Sequence, residues 1–185
     1  AYRAYLRGYY KLNRPNAANL GEALAAFREA IDRDPTCARA WAGTASAYRA
    51  LVITADRDPR EMFPLAKAAV ARALAIDPDS AEAYTAKGFI EFWYDWDWPR
   101  SEASLRHAIA LNPNLAEAQI ALAHLLVNIG RAQEVEPYAR RAIALDPLSP
   151  IVNSLAGSFL GAAGLKEEAR RQIDKTLELE PDSWV

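Results

Sequence analysis

The segment ARRAIALDP at residues 139–147 has four counterparts in the same chain, and each ends in an acidic or amide residue followed by proline. They are FREAIDRDP (27–35), VARALAIDP (70–78), LRHAIALNP (105–113) and IDKTLELEP (173–181). The five prolines fall 43, 35, 34 and 34 residues apart. A self-similarity of this period indicates a repeat architecture, in which each repeat is one supersecondary unit.

The apolar residues of each copy recur at steps of three or four, which places them on one stripe of an α-helix. A small residue on that stripe lets a neighbouring helix approach closely. The proline disfavours helical geometry in the residue before it, so the helix is predicted to end there. The small residue stands five positions before each proline, at Ala30, Ala73, Ala108, Ala142 and, as the variant, Thr176.

A second helical segment follows four of the prolines, and each contains a small residue near its middle. These segments are RAWAGTASAYRAL (39–51), AEAYTAKGFIEFWY (81–94), AEAQIALAHLLVNIG (116–130) and PIVNSLAGSFLGAAG (150–164). The sequence therefore predicts two antiparallel helices in each unit of about 34 residues. Helix pairs that bury one face against their neighbours stack into a superhelix.

This pattern resembles the tetratricopeptide repeat over essentially the whole chain. The resemblance implies an all-α fold, a right-handed superhelix (α-solenoid) of antiparallel helix pairs, in a single domain at 1–185. Its units would lie at approximately 1–37, 38–80, 81–115, 116–149 and 150–183. The early aromatic residue of the family's first helix is present at Trp41 and Tyr84. Gln119 and Asn153 replace it in later copies, where we expect weaker individual repeats.

Two copies are longer than the others. The copy ending at Pro78 carries nine additional residues, which we place in the turn LVITADRDPREMFP (51–64). The copy ending at Pro113 carries one, within YDWDWPR (94–100), and we expect Trp96 and Trp98 to fold back onto the joints between helices. These features resemble arrays in multidomain bacterial signalling proteins, where the repeats follow a winged-helix DNA-binding domain or a nucleotide-cyclase domain.

In tetratricopeptide arrays the first helices line a concave groove, and this likeness predicts which side chains face it. We expect the aromatic pair Phe89 and Phe92 to form an exposed patch that holds a peptide. The alternative, in which both rings pack against the next repeat, stays open. The candidate groove residues are Arg39, Ser46, Arg49, Glu82, Thr85, Phe89, Phe92, Trp93, Glu117, Ile120, His124 and Asn128.

Some members of the family bind chaperone C-termini through a carboxylate clamp of Lys, Arg and Asn side chains. The corresponding positions here hold Ala42, Ser46, Thr85, Phe89 and Ile120, so no clamp is expected.

Composition excludes several other functions. The 185 residues carry 22 basic and 24 acidic side chains, interspersed without a basic block, which argues against nucleic acid as a partner. Cys37 is the only cysteine, and His107 and His124 are predicted to lie on different surfaces, so neither a cofactor nor a metal is expected. Prolines, glycines and Asn153 break the longest charge-free run, 147–165, which argues against a membrane span.

No sequence motif of a catalytic site is present, so the chain is not expected to be an enzyme. The expected function is a protein–protein interaction module that holds a peptide or helix of a partner in its groove. We expect it to be the sensory or regulatory part of a bacterial signalling or transcription-regulatory protein, with the partner separate or within the same polypeptide. We expect a cytoplasmic location, and placement on the periplasmic side of a membrane-anchored regulator stays open.

The alternative function is a structural spacer or a self-associating array. The chain begins inside a first helix and stops at Trp184 and Val185, where a further repeat would begin. We therefore expect a fragment of a longer array, or uncapped ends that pair into a homo-oligomer.

Overall fold

The computed structural model of the chain describes residues 1–55 and 57–181, so Trp184 and Val185 lie outside the described residues. The described residues form α-helices and one short 3-10 helix, Ala132–Glu134, and contain no strand. The ten helices are α1 (Tyr2–Leu12), α2 (Ala17–Arg33), α3 (Ala38–Thr54), α4 (Pro59–Ile76), α5 (Ala81–Trp93), α6 (Trp98–Leu111), α7 (Ala116–Asn128), α8 (Glu136–Leu145), α9 (Pro150–Ala162) and α10 (Lys166–Leu179). The prediction of an all-α chain built from helix pairs is confirmed.

The chain divides into two compact units. Unit 1 comprises Ala1–Asp97 with helices α1 to α5, and unit 2 comprises Trp98–Val185 with helices α6 to α10. In unit 1, α2 packs on α1 and on α3, and α3 also packs on α4 and α5. In unit 2, α7 packs on α6, α8 and α9, and α9 packs on α10.

The second helix of every copy ends immediately before the residue that precedes the proline. In each copy that residue donates its backbone N–H to the carbonyl of the small residue four positions earlier. The pairs are Asp34 to Ala30 at 2.9 Å, Asp77 to Ala73 at 2.9 Å, Asn112 to Ala108 at 2.9 Å, Asp146 to Ala142 at 3.0 Å and Glu180 to Thr176 at 2.9 Å. All five small residues are buried, as the register predicts.

In three copies, the residue six positions after the proline donates a side-chain hydrogen bond to the carbonyl of that proline, although its residue type differs. The indole N–H of Trp41 donates to the carbonyl oxygen of Pro35 at 3.2 Å. The side-chain amide of Gln119 donates to Pro113 at 3.1 Å, and that of Asn153 donates to Pro147 at 3.1 Å. The two departures from an aromatic residue therefore keep the N–H donor that joins the first helix to the preceding turn.

The additional residues of the second copy do not form a long turn, so that expectation is wrong. Helices α3 and α4 have 17 and 18 residues, whereas α5, α7 and α9 have 13 each. Leu51, near the end of α3, packs in a cluster with Met62 of α4, because the apolar stripe continues through both extensions. Asp58 caps α4 by accepting the backbone N–H of Arg60 at 2.8 Å, and Pro59 occupies the first helical position.

Phe27 of α2 is the wedge that positions α1 and α3. Its ring is fully buried and lies directly against two helix backbones. A methyl group added at Gly8 of α1 would lie 2.7 Å from the ring carbons, and one added at Gly43 of α3 would lie 2.5 Å away. Both helices therefore need glycine where they meet this ring.

Replacing Gly43 with alanine should destabilise the chain by about 1–3 kcal/mol, because the buried ring has no room to move aside. Gly21→Ala is the matched control, since nothing lies within 4 Å of the added carbon. That helix-interior substitution should stabilise the chain by about 0.5–1 kcal/mol. Urea unfolding of the two variants gives both values. A Gly43→Ala protein as stable as the parent would show that the Phe27 ring is not seated against α3.

Replacing Asn153 with leucine should cost about 1–3 kcal/mol, because it removes the donor of two partly buried hydrogen bonds. The amide of this buried residue donates to two carbonyls, of Pro147 and of Ser149. Asn153→Gln keeps an amide N–H, as Gln119 does in the preceding copy, and should retain most of the stability. Equal losses of unfolding free energy in the two variants would mean that shape, and not the N–H group, is what this position requires.

Candidate interaction surface

Two pairs of predicted groove residues on α3 and α5 of unit 1 lie together. Nε of Arg39 lies 3.3 Å from a carboxylate oxygen of Glu82, and the Arg39 side chain stays largely exposed. The guanidinium carbon of Arg49 lies 4.1 Å from the centroid of the Phe89 ring, in cation–π geometry. The charged side chains of this face are therefore held in place by their neighbours on the adjacent first helix.

The expected exposed aromatic patch is not present at Phe89 and Phe92, because their exposed fractions are only 7% and 8%. Ser46 and Thr85 are also buried, and the Thr85 hydroxyl donates to the carbonyl of Ala81 at 2.8 Å. Trp93 is the exposed member of the set, with its ring edge-on to Phe92 at a centroid distance of 5.0 Å. The aromatic contribution of α5 to the surface is thus Trp93.

The four candidates of unit 2 all lie on α7. Ile120 is buried, Glu117 and His124 are half-buried, and Asn128 is exposed. The His124 ring stacks on Phe159 of α9 with 5.1 Å between centroids and 23° between planes. Asn128 donates its side-chain amide to the carbonyl of His124 at 2.8 Å. The stacked rings of His124 and Phe159 therefore join α7 to α9, which are both first helices. The polar side chains of Glu117 and Asn128 lie on α7 as well.

A row of three tyrosines on α1, here called the tyrosine stripe, was not among the predicted candidates: Tyr2, Tyr5 and Tyr9. Their spacing of three and four residues places them on one helix face. Successive ring centroids lie 6.3 and 6.2 Å apart, and Tyr2 and Tyr9 are 65% and 43% exposed. The spacing was visible in the sequence, but no proline precedes α1 to set its register.

The tyrosine stripe lies close to the charged pair of α3 and α5. Burial of the Tyr5 hydroxyl raises its pKa from the ordinary 10.0 to about 12, and the nearby negative charge of Glu82 adds to the rise. The positive charge of Arg39 acts in the opposite direction on the same pKa. The hydroxyl of Tyr5 on α1 therefore lies near the charged pair that α3 and α5 contribute.

The tryptophans in and after the turn that follows α5, Trp96 and Trp98, were expected to fold back onto the joints between helices, and they do not. Trp96 is 71% exposed and has φ of 56°, in the left-handed region that bulky residues rarely adopt. Backbone N–H groups on either side close the turn, with Asp95 donating to Ile90 at 3.2 Å and Asp97 to Glu91 at 2.9 Å. This closure holds Trp96 at the tip of the turn. The prediction that it folds back onto a joint is wrong, and Trp98, which begins α6, is exposed as well.

Within residues 1–55 and 57–181, no cluster of three or more His, Cys, Asp or Glu side chains could hold a metal ion. In the same part of the chain, no helix combines the length and apolarity needed to cross a bilayer.

Residues 116–147 match the sequence profile of the tetratricopeptide repeat family, and no curated protein matches the chain. One similar structure is TTC0263, a thermophilic tetratricopeptide protein of Thermus thermophilus. Its TM-score is 0.66 and its identity 18%, covering 90% of this chain and 86% of that one. The pilF protein of Pseudomonas aeruginosa has a TM-score of 0.63 at 20% identity, covering 98% and 77%. YrrB, a tetratricopeptide protein with an unusual peptide-binding site, has 0.53 at 24%, covering 89% and 80%.

These similarities define the class of protein: the chain has the fold of an α-solenoid built from helix pairs. Residues 116–147 match the tetratricopeptide repeat itself, and the helix pairs of the chain share the fold of solved tetratricopeptide proteins. The solved structures are each less than 25% identical to the chain, so their likeness concerns the fold and not the ligand.

The raised pKa of Tyr5 gives a pH test of this surface. The pKa of Tyr5 is higher in the folded chain than in the unfolded chain, so folding favours the neutral hydroxyl. This contribution to stability is fully present below the pKa of the unfolded chain, and it is lost as the pH rises through the pKa of the folded chain. The free energy of unfolding should therefore fall between pH 10.0 and about pH 12. The free energy of unfolding of the Tyr5→Phe variant should fall less between these pH values. The Tyr10→Phe variant changes an exposed ring on the same helix, and its free energy of unfolding should fall as that of the parent does. Denaturant titrations across this range provide the measurement, and identical pH profiles for parent and Tyr5→Phe would contradict the burial of this hydroxyl.

Proposed function

We propose that the chain is a protein–protein interaction module that binds a peptide or helix of a partner on the first helices of unit 1. The observation that supports this is the exposure of Tyr2 and Tyr9 on α1, of Arg39 on α3 and of Trp93 on α5, which are the first helices of unit 1. Tyrosine, tryptophan and arginine are the residues that most often carry the binding energy of protein interfaces. Large rings left in water on adjacent helices gain contact area when a partner covers them.

The rigidity of this surface also favours binding. Tyr5 lies between Tyr2 and Tyr9 and is itself 6.2 Å from the buried ring of Phe27. Glu82 holds the guanidinium of Arg39. Side chains that are already ordered lose less conformational entropy when a partner docks, so more of the contact energy appears as affinity.

The proposed contacts follow the burial of the groove candidates. On unit 1 they are Arg39, Arg49, Glu82 and Trp93 together with the tyrosine stripe. The buried candidates of this unit lie beneath the surface and support it: Ser46, Thr85, Phe89 and Phe92. The candidates of unit 2 are not part of this proposed surface: Glu117, Ile120, His124 and Asn128.

The setting that we propose is the regulatory part of a bacterial signalling or transcription-regulatory protein in the cytoplasm, with the partner separate or within the same polypeptide. This rests on the resemblance of the array to such proteins, and the balanced charge of the chain disfavours nucleic acid as a ligand. The coding sequence on either side of this chain provides the test. Flanking segments without any DNA-binding or cyclase domain would remove the setting and leave the interaction surface untouched.

Self-association is the second candidate function. Helix α10 exposes Ile173 and Leu177, which lie four residues apart on one face. A second copy that covers this stripe would produce a homo-oligomer. Sedimentation velocity over a range of concentrations separates the candidates, because a concentration-independent monomer removes this one.

The double substitution Tyr2→Ser and Tyr9→Ser should weaken binding of a captured partner by about tenfold or more, because two exposed anchors are removed. The matched control is Tyr10→Ser. This tyrosine is also exposed on α1, but it lies off the stripe and contacts Arg14. Partner affinity is measured by titration calorimetry with the purified partner, after thermal unfolding has shown that both variants fold. Unchanged affinity in the double variant would remove the tyrosine stripe from the binding surface.

A further inference from the structure

A cavity of about 380 Å³ lies between α2 and α3 of unit 1. Its walls are apolar and aromatic, with Leu24 and Ile31 on α2 and Trp41 and Tyr48 on α3, and all four side chains are half-buried. None of these residues belongs to the interaction surface proposed above. Sites for small ligands have volumes of this order, with mostly apolar walls and a few polar groups that orient the ligand.

Two polar groups in the α3 wall of the cavity are already engaged. The indole N–H of Trp41 donates to Pro35 at 3.2 Å, and the hydroxyl of Thr44 donates to Ala40 at 2.8 Å. The first of these hydrogen bonds also holds the Trp41 ring in place. Leu24, Ile31 and the rings of Trp41 and Tyr48 therefore offer a ligand hydrocarbon and ring faces, which suit an apolar side chain.

The exposed edge of the cavity carries two opposite charges. Arg28 and Asp32 lie four residues apart on α2, and both line the cavity. Such neighbours commonly pair on a helix, as Arg33 and Glu29 do at 2.8 Å on this same helix. Arg28 and Asp32 form no ion pair or hydrogen bond with any side chain in the described part of the chain. Both charges are thus available to a ligand.

We propose that this cavity binds a free α-amino acid with a large apolar side chain. The guanidinium of Arg28 takes the α-carboxylate, for which its planar fork is suited, and the carboxylate of Asp32 accepts hydrogen bonds from the α-ammonium group. The ligand side chain occupies the space between Leu24, Ile31 and the rings of Trp41 and Tyr48.

This assignment makes the ligand requirements specific. Both the ammonium and the carboxylate must be present, so leucinamide and N-acetyl-leucine should bind at least about tenfold more weakly than L-leucine, because each lacks one charge-assisted hydrogen bond. Glycine lacks the side chain that fills the cavity, and glutamate would bring a charge against apolar walls. These compounds also distinguish a free amino acid from the terminal residue of a peptide, which carries only one of the two charged groups.

The experiment is titration of the chain with L-leucine, L-phenylalanine and L-tryptophan, followed by calorimetry and by the indole N–H resonance of Trp41 in NMR spectra. We expect saturable binding that Arg28→Gln and Asp32→Asn each weaken by about tenfold or more. Ala25→Leu, which fills the cavity from α2 without changing charge, should abolish binding. Arg170→Gln, at an exposed arginine of α10 in unit 2, is the control and should bind as the parent does.

Three results would overturn the proposal: no saturable binding of any of the three amino acids, equal binding of the amide and N-acetyl forms, or full binding by the Ala25→Leu variant. Thermal unfolding of each variant shows whether a loss of binding comes from a loss of folding. The outcome does not depend on the partner surface, because the tyrosine stripe is intact in every variant of this set.

Discussion

Close contact between helix backbones is the constraint on which the rest of this structure depends. Each second helix carries a small, buried residue at the start of its last turn, and the carbonyl of that same residue accepts the final helical hydrogen bond before the proline. The same residue thus accepts the last hydrogen bond of the helix and, because it is small, lets the neighbouring helix lie close. At Phe27 the sizes are reversed: the large ring belongs to the second helix, α2, and the neighbouring helices α1 and α3 have glycine, Gly8 and Gly43, where they meet it.

The helix pairs and their ends could be predicted because segments of about nine residues determine them. Proline, the residue before it and the apolar stripe act locally, so reading the sequence was sufficient. The burial of Phe89 and Phe92 could not be predicted, because it depends on segments that are distant in sequence. The lengths of α3 and α4 were misjudged for a different reason. The apolar spacing continues through both extensions, and Asp58 with Pro59 starts α4 inside the segment 51–64 that was expected to be a turn.

The structure gives unit 1 two surfaces of different chemistry on one set of helices. The first helices present ordered tyrosines, a tryptophan and an arginine over a broad area, which suits a macromolecular partner. The space between α2 and α3 is small, apolar and bordered by opposite charges, which suits a compact ligand. Helix α3 contributes to both, since Arg39 lies on one face while Trp41 and Tyr48 lie on the other. A ligand that orders one face of α3 therefore has a short physical route to the other.

The hydrogen bond that Trp41, Gln119 and Asn153 share has a consequence for how such repeats diverge. An indole and two amides of different length supply the same donor to the same carbonyl. Three copies thus place an N–H group at the equivalent point, although the side chain that carries it differs. Copies of the repeat can drift apart in sequence without losing the joint between one unit and the next. In a degenerate repeat of this kind, the hydrogen bond made at a position identifies the copy better than the residue type at that position.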